Sequence, residues 1–487
     1  MRVRSQTPCN TRLIRLFFYV LAASFIVAAL LYRNLPWLDD DGAFFLRYAV
    51  NMTHGAFWKY NLQDPPIWGA SAPLWPLLIA PFIKLGLNPV FSMHLVAMSC
   101  YLVSTLLMAV VFEKRFSIWI SLIWIVFIGL EGRLDGRLLH FIMSGLETPL
   151  TVLLLSFAFV IVICNTKNSY VLALTVALLA INKIDLIPCA GILYLTCCFQ
   201  NKKCDKLSLL LISLITLSWY GFAWYYFGAP VPNSFMTKAF HQEQMPQVAG
   251  HLWIIKYIFK EPKLVLALFL FGIYFSWKNN KYFTIFALSI MAIHTLAYSI
   301  KPPFEEYRWY IMPTLYTFWT IIVFGLGSAF ENHKKILPYC MIILTAYYSY
   351  HTVPQFITDK QYQKRANLSD QDRALAGVWV NEHTPPETTV YTGWGLPTYY
   401  SQRYVYDFSF LNRPYEPTDL VLKYKPDIII FQGYTFGPYL KSGDCNNLNM
   451  ENWPDYVIIK TFTEAYKADK NANYCFFVAK RKDFITN

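Results

Sequence analysis

Charge is the scarcest ingredient of this sequence. Only 15% of its 487 residues are Asp, Glu, Lys or Arg, against 55% hydrophobic and 18% aromatic. That balance excludes a soluble globular protein, which could not bury so much apolar surface. The nine histidines and ten cysteines show no metal-ligand spacing. A phosphate-cradling glycine loop and a nucleophile elbow are also missing. No internal repeat is evident, which argues against a secondary transporter built from duplicated halves. The net charge of +12 suggests nucleic acid at first sight. The basic residues, however, sit mostly at the ends of apolar blocks, as membrane topology signals do, so no nucleic-acid partner is expected.

What is present is a series of apolar blocks of about bilayer-spanning length. The first runs from about Leu13 to Tyr32, behind Arg2, Arg4, Arg12 and Arg15. This places the N-terminus in the cytoplasm and reads as a retained anchor rather than a cleaved signal. Further blocks fall at roughly 73–87, 90–112, 117–130, 146–164, 169–182, 184–199, 207–227, 252–277 (with a bend at Pro262), 282–300, 309–330 and 336–354. Lys202, Lys203 and Lys206, then Lys278 and Lys281, then His333, Lys334 and Lys335 mark cytoplasmic loops. The expectation is a polytopic α-helical membrane protein of about 11 to 13 spans over residues 1–358.

Beyond residue 359 charge rises and turn residues separate short strands. A helix is predicted over Ser369–His383, stopped by Pro385 and Pro386. Strands are predicted at Thr389–Thr392, Tyr404–Tyr406, Asp427–Phe431, Tyr456–Phe462 and Tyr474–Ala479. Residues 359–487 thus read as a soluble α/β domain, external if the span number is odd. Most cysteines, such as Cys100, Cys164, Cys189, Cys197 and Cys340, lie in apolar blocks as small hydrophobes. Cys445 and Cys475 are the pair in the soluble part and are expected to form a disulfide there.

The segment between the first two blocks carries the densest chemistry. Asp39, Asp40 and Asp41 lie just past the first block, inside an external loop over 35–72. Three adjacent carboxylates repel one another and must be hydrated or bound. An amphipathic helix with Arg47 is predicted over 41–54, its face of Phe44, Tyr48 and Met52 lying along the membrane surface and Gly55 ending it. A carboxylate at a helix N-terminus is held in its charged form, which suits a general base and equally a plain helix cap. Glu147, at the head of an apolar block, is functional or paired, because a lone buried carboxylate is costly. Lys183 and Asp185 either pair with each other or meet a ligand. Arg308 is a cation for a phosphate or an interfacial anchor. Trp75, Trp309 and Tyr310 read as aromatic-belt residues or sugar platforms.

Several short motifs occur in order along the chain: Asp40-Asp41-Gly42-Ala43-Phe44-Phe45-Leu46-Arg47-Tyr48-Ala49, Gly69-Ala70-Ser71-Ala72-Pro73-Leu74-Trp75, Gly145-Leu146-Glu147-Thr148, Pro232-Asn233-Ser234-Phe235 with Lys238, and Tyr307-Arg308-Trp309-Tyr310 running to Pro313. This order resembles the GT-C superfamily of membrane glycosyltransferases, and within it the bacterial branch that includes the mycobacterial terminal arabinofuranosyltransferases. The resemblance implies a GT-C fold and an inverting transfer. The sugar would pass from a polyprenyl-phosphate donor to an envelope glycan or glycolipid, on the periplasmic side of a bacterial inner membrane. It implies Asp40, then Asp41, as catalytic, with Asp39 dispensable. It implies Arg47, Tyr48, Trp75, Glu147, Lys183, Asp185, Asn233, Lys238, Tyr307 and Arg308 as substrate-binding. No cofactor is expected and no residue is assigned to a metal. The chain departs from the branch at Asn182-Lys183-Ile184-Asp185, where the relatives read T-R-P-E, and at Gly42, where they carry alanine. Both departures suggest a different sugar. A non-enzymatic transporter and a ligase using a pyrophosphate-linked donor are the competing readings.

Overall fold

A computed structural model describes residues 38–130, 142–241, 251–260, 263–300, 308–333, 335–339, 368–432, 453–464 and 475–485, with isolated positions besides. The predicted first span, most of the block at 336–354 and the domain boundary at 358/359 lie outside the described residues.

The helices are α1 Asp40–Thr53, α2 Leu74–Lys84, α3 Pro89–Arg115, α4 Ile118–Leu130, α5 Thr148–Cys164, α6 Ser169–Asn182, α7 Ile187–Asn201 and α8 Lys206–Phe227. They continue with α9 Asn233–Met236, α10 Trp253–Phe259, α11 Lys263–Asn279, α12 Lys281–Ile300 and α13 Met312–Ala329. Among the described residues, five helical stretches are long and apolar enough to cross a membrane: Pro89–Arg115, Ile184–Asn201, Lys206–Phe227, Lys281–Ile300 and Trp309–Ala329. Their ends follow local rules. Asn88 accepts from the Phe91 N–H and Pro89 opens α3, while Asp205 caps α8 and Gly228 closes it in the left-handed region.

Burial separates the axis of the bundle from its rim. Every residue from Met312 to Gly327 on α13 is buried, and Thr317 and Thr320 satisfy their hydroxyls on the carbonyls of Pro313 and Tyr316, each at 2.7 Å. On α8, by contrast, only Ser208 and Ala223 are buried, and Leu210, Leu214 and Leu217 are exposed. An apolar helix with a bare apolar surface suits lipid as its solvent.

After the bundle comes helix α14 over 368–383, then β1 Thr389–Thr392, α15 Gly395–Ser401, β2 Tyr404–Asp407, α16 Leu420–Tyr424, β3 Ile428–Gln432, β4 Tyr456–Phe462 and β5 Phe476–Arg481. The sheet order is β2-β1-β3-β5-β4, parallel across β2, β1 and β3 and antiparallel across β3, β5 and β4. Along β3, Ile428 and Ile430 pack into the main core, whereas Ile429 joins Val421, Trp453 and Phe477 on the other face. This is the two-residue alternation of a strand covered on both sides. Cys475, at the edge of β5, is disulfide-bonded. Its expected partner, Cys445, lies outside the described residues.

Candidate active site

Asp39, Asp40 and Asp41 have three different surroundings. Asp39 is the N-cap of α1, accepting from the Asp41 N–H at 3.1 Å, while its own N–H donates to Ser144 O at 2.9 Å. Burial, with Asp370 and Asp41 nearby, holds its carboxyl well above the usual range. Asp40 is buried, and both of its oxygens are taken: Oδ2 accepts from the Gly395 N–H and Oδ1 from the Leu396 N–H, each at 3.0 Å. Asp40 therefore caps α15 of the sheet domain. A Cβ on Gly395 would collide with Asp40 O, so no other residue lets the two backbones approach this closely. Asp41 alone of the three turns into a cleft.

The rest of α1 corrects the expectation of a helix lying on the membrane surface. Gly42, Ala43, Phe44, Phe45, Leu46, Arg47, Tyr48 and Ala49 are all buried. Phe44 packs on Tyr60, and Tyr48 on Trp58 and Tyr60, of the loop that follows the helix. Arg47, expected at substrate, donates instead to Tyr60 O at 2.7 Å, Thr398 O at 2.6 Å, Asn61 Oδ1 at 3.0 Å and Arg403 O at 2.9 Å. Four occupied donors leave it a clamp between α1 and the sheet domain. Gly42 also has a packing reason, since a Cβ there would lie 2.5 Å from Ser144 O.

The cleft encloses and opens onto about 500 Å³ of space. Asp41 and Phe44 of α1 form one wall, Ser71 and Glu147 another, and Lys183, Ser234, Lys238 and Tyr310 close it, with Leu411 and Asn412 above. Lys183 Nζ lies 2.7 Å from Glu147 Oε1 but 4.0 Å from Asp185 Oδ2, so its main partner is Glu147. Lys238 Nζ donates to the Tyr310 hydroxyl at 3.2 Å. Burial would lower the Lys238 pKa, but Tyr310 and Asp41 outweigh it and raise it, which keeps the ammonium charged. Burial pushes the Asp41 carboxyl up to about 6 against the pull of Lys238. Asp41 is thus ionised at neutral pH yet basic enough to accept a proton. The Ser234 hydroxyl is buried without a hydrogen-bond partner in this wall.

Other expected contacts turn out to build the cleft rather than line it. Tyr48 is buried and donates to Asn412 Oδ1 at 3.2 Å. Trp75 is buried and donates its ring N–H to Gly145 O at 2.7 Å, fixing the turn before Glu147. Asn233 donates to the carbonyls of Phe410, Leu411 and Arg413 at 2.8, 3.1 and 2.8 Å, holding the 410–413 loop over the site. Asp185 sits one step deeper, accepting from the Tyr298 hydroxyl at 2.5 Å. Tyr307 and the Arg308 side chain lie outside the described residues. Sequence reasoning missed Ser234, Asn412 and His294, which reach the site only through folding. Trp309 and Tyr310 line the cleft rather than serving only as an interfacial belt.

No protein-family model and no curated protein matches the sequence. Solved structures do. The chain superposes on ArnT from Cupriavidus metallidurans bound to undecaprenyl phosphate with a TM-score of 0.61 at 11% identity, over 97% of this chain and 98% of that one. The apo form of the same protein gives 0.58 at 12% identity, over 86% and 93%. The chain has a GT-C fold. At this identity the likeness concerns the fold, and it does not single out the arabinofuranosyltransferase branch. A GT-C bundle with its C-terminal sheet domain matches the architecture expected from the sequence.

Proposed function

We propose that this protein is an inverting glycosyltransferase. It moves a sugar from a polyprenyl-phosphate donor to a hydroxyl of an envelope glycan or glycolipid, on the periplasmic face of a bacterial inner membrane. The observation that carries this reading is one cleft, at the junction of an apolar helix bundle and a polar domain, that joins the Asp41 carboxylate with Lys183 and Lys238. The fold neighbour bound to undecaprenyl phosphate supports a lipid phosphate as the donor's carrier.

A polyprenyl phosphate leaves readily, so the reaction needs no acid to expel it. It needs one base and a cationic cradle, unlike glycoside hydrolysis with its two flanking carboxylates. The acceptor oxygen attacks the anomeric carbon as the bond to the phosphate oxygen breaks. The acceptor proton passes to Asp41, and the phosphate monoester departs with the bonding electrons. Lys238, the Ser234 hydroxyl and, more weakly because it is already paired, Lys183 hold the developing phosphate charge. The assignment of the base thus moves from Asp40, whose oxygens are both occupied, to Asp41. Arg308 joins the phosphate on the resemblance alone, as does arabinofuranose as the sugar. The disulfide at Cys475 favours an oxidising compartment for the sheet domain.

Mass spectra of envelope glycolipids from cells with and without the gene test this reading. The expected result is one missing sugar increment, restored by the wild-type gene but not by Lys238→Ala. Identical spectra would refute it.

A further inference from the structure

Lys238 stands on a short segment, α9 followed by a π-helical turn over Thr237–His241. Such turns are rare and recur at functional sites. The segment has two sides: Phe235, Met236 and Phe240 are exposed, while Ser234 and Thr237 are buried. A helix this short does not hold its shape by itself, so its anchors decide where Lys238 points.

The anchors come from the sheet domain. The Thr237 hydroxyl donates to Phe410 O at 2.8 Å, and Asn233 Nδ2 donates to the same oxygen at 2.8 Å. A threonine inside a helix ordinarily bonds the carbonyl four residues back, as Thr317 and Thr320 do on α13. Thr237 reaches across the domain junction instead. Its acceptor is held in an unusual conformation, since Phe410 has a φ of 54°, in the left-handed region. A residue with a side chain stays there only where its surroundings over-determine it. Asp407 supplies part of that hold: its carboxylate accepts from the Ser409 N–H at 2.8 Å, the Asn412 N–H at 3.0 Å and Asn412 Nδ2 at 3.1 Å. Tyr48 fixes Asn412 from the side of α1. The loop is thus braced at both ends, and the carbonyl it turns out is received by two donors of the Lys238 segment.

We propose that Thr237 is a positioning residue. Its bond to the strained Phe410 carbonyl latches the Lys238 turn to the sheet domain and holds the ammonium over the cleft for the donor phosphate. The proposal rests on the glycosyltransferase reading. It adds a way for the sheet domain to act on the phosphate, through a cation carried by another part of the chain.

The test measures binding of undecaprenyl phosphate to the full-length protein in nanodiscs. Thr237→Val keeps the branched shape and removes the donor. It should raise the Kd about fivefold, the worth of one net hydrogen bond. Thr237→Ser keeps the hydroxyl and should stay within about twofold of the wild type. In a Lys238→Met background, Thr237→Val should add less than about twofold, because the latch has no ammonium left to aim. A general structural defect would weaken binding equally with and without Lys238, and that result would overturn the latch. Wild-type affinity in Thr237→Val would overturn it too, as would an equal loss in Thr237→Ser. A wild type that does not bind undecaprenyl phosphate would overturn the glycosyltransferase reading itself.

Discussion

The sharpest consequence of the cleft is that Asp41→Asn should cost activity and add stability at once. The carboxyl is lifted from 3.8 to about 6, chiefly by burial. Keeping that charge in place at neutral pH therefore costs the fold at most about 3 kcal/mol. Between about pH 4 and 6 the folded protein holds a proton that the unfolded chain has released, so this group makes stability fall as pH rises through that window. Asparagine has the same shape and no charge to desolvate. The variant should melt at a higher temperature at pH 7.5, and the gap should close towards pH 4. Its sugar transfer should fall on the order of 100-fold or more, as loss of a general base does. Wild-type kcat/KM should rise with pH through about 6 and then level off, while the variant's residual rate should lack that rise. Thermal scans across pH, paired with a transfer assay, read both effects. Near-normal transfer by Asp41→Asn, or a lower melting temperature at pH 7.5, would refute the reasoning.

Asp40→Asn should act differently: it turns an amide donor towards the Gly395 or Leu396 N–H, costs about 1–3 kcal/mol, and makes the sheet domain easier to proteolyse, while residual activity keeps the pH rise near 6. Lys183→Met strands Glu147 as a lone buried carboxylate and should lower stability by about 3–5 kcal/mol, seen as a lower melting temperature; Glu147→Gln in the same chain should recover part of it. Gly42→Ala should lower both expression and melting temperature, because its methyl group meets the Ser144 carbonyl; an unchanged melting temperature would contradict that contact. Thiol labelling of the unreduced, denatured protein should leave Cys475 unmodified and label it after reduction. Labelling at Cys445 in the same experiment identifies or excludes its partner.

Much of the architecture was legible one residue at a time. Apolar block length set the helices, so the predicted blocks at 169–182 and 207–227 reappear as α6 Ser169–Asn182 and α8 Lys206–Phe227. Turn residues and alternation placed β1 and β4 at their predicted bounds, and β2, β3 and β5 within about two residues. These signals are local, and they survive folding because the backbone must satisfy its own hydrogen bonds wherever it lies. The sequence also singled out the acidic loop, Glu147 and the Lys183–Asp185 pair as the places where charge would be costly without a purpose, and the family resemblance added Lys238.

Roles within that set were another matter. Asp40 and Asp41 are neighbours on one helix, and successive side chains there point about 100° apart. Nothing local says which of the two directions is the cleft. The answer comes from Gly395 and Leu396, 355 and 356 positions further along, whose N–H groups claim Asp40. Trp58 and Tyr60 of the following loop cover the Phe44 and Tyr48 face that amphipathicity alone assigned to the membrane surface, and the same distant domain turns Arg47 from a ligand contact into a clamp. Asp185 has Lys183 two positions away, yet Lys183 pairs with Glu147 and Asp185 turns to Tyr298, because α5 and α12 pack beside that turn. Composition and periodicity, which depend on short-range sterics and solvent preference, determined that this is a helical membrane protein with a polar α/β domain. Which carboxylate is available for chemistry depends on contacts across hundreds of residues, and only the tertiary structure decided that.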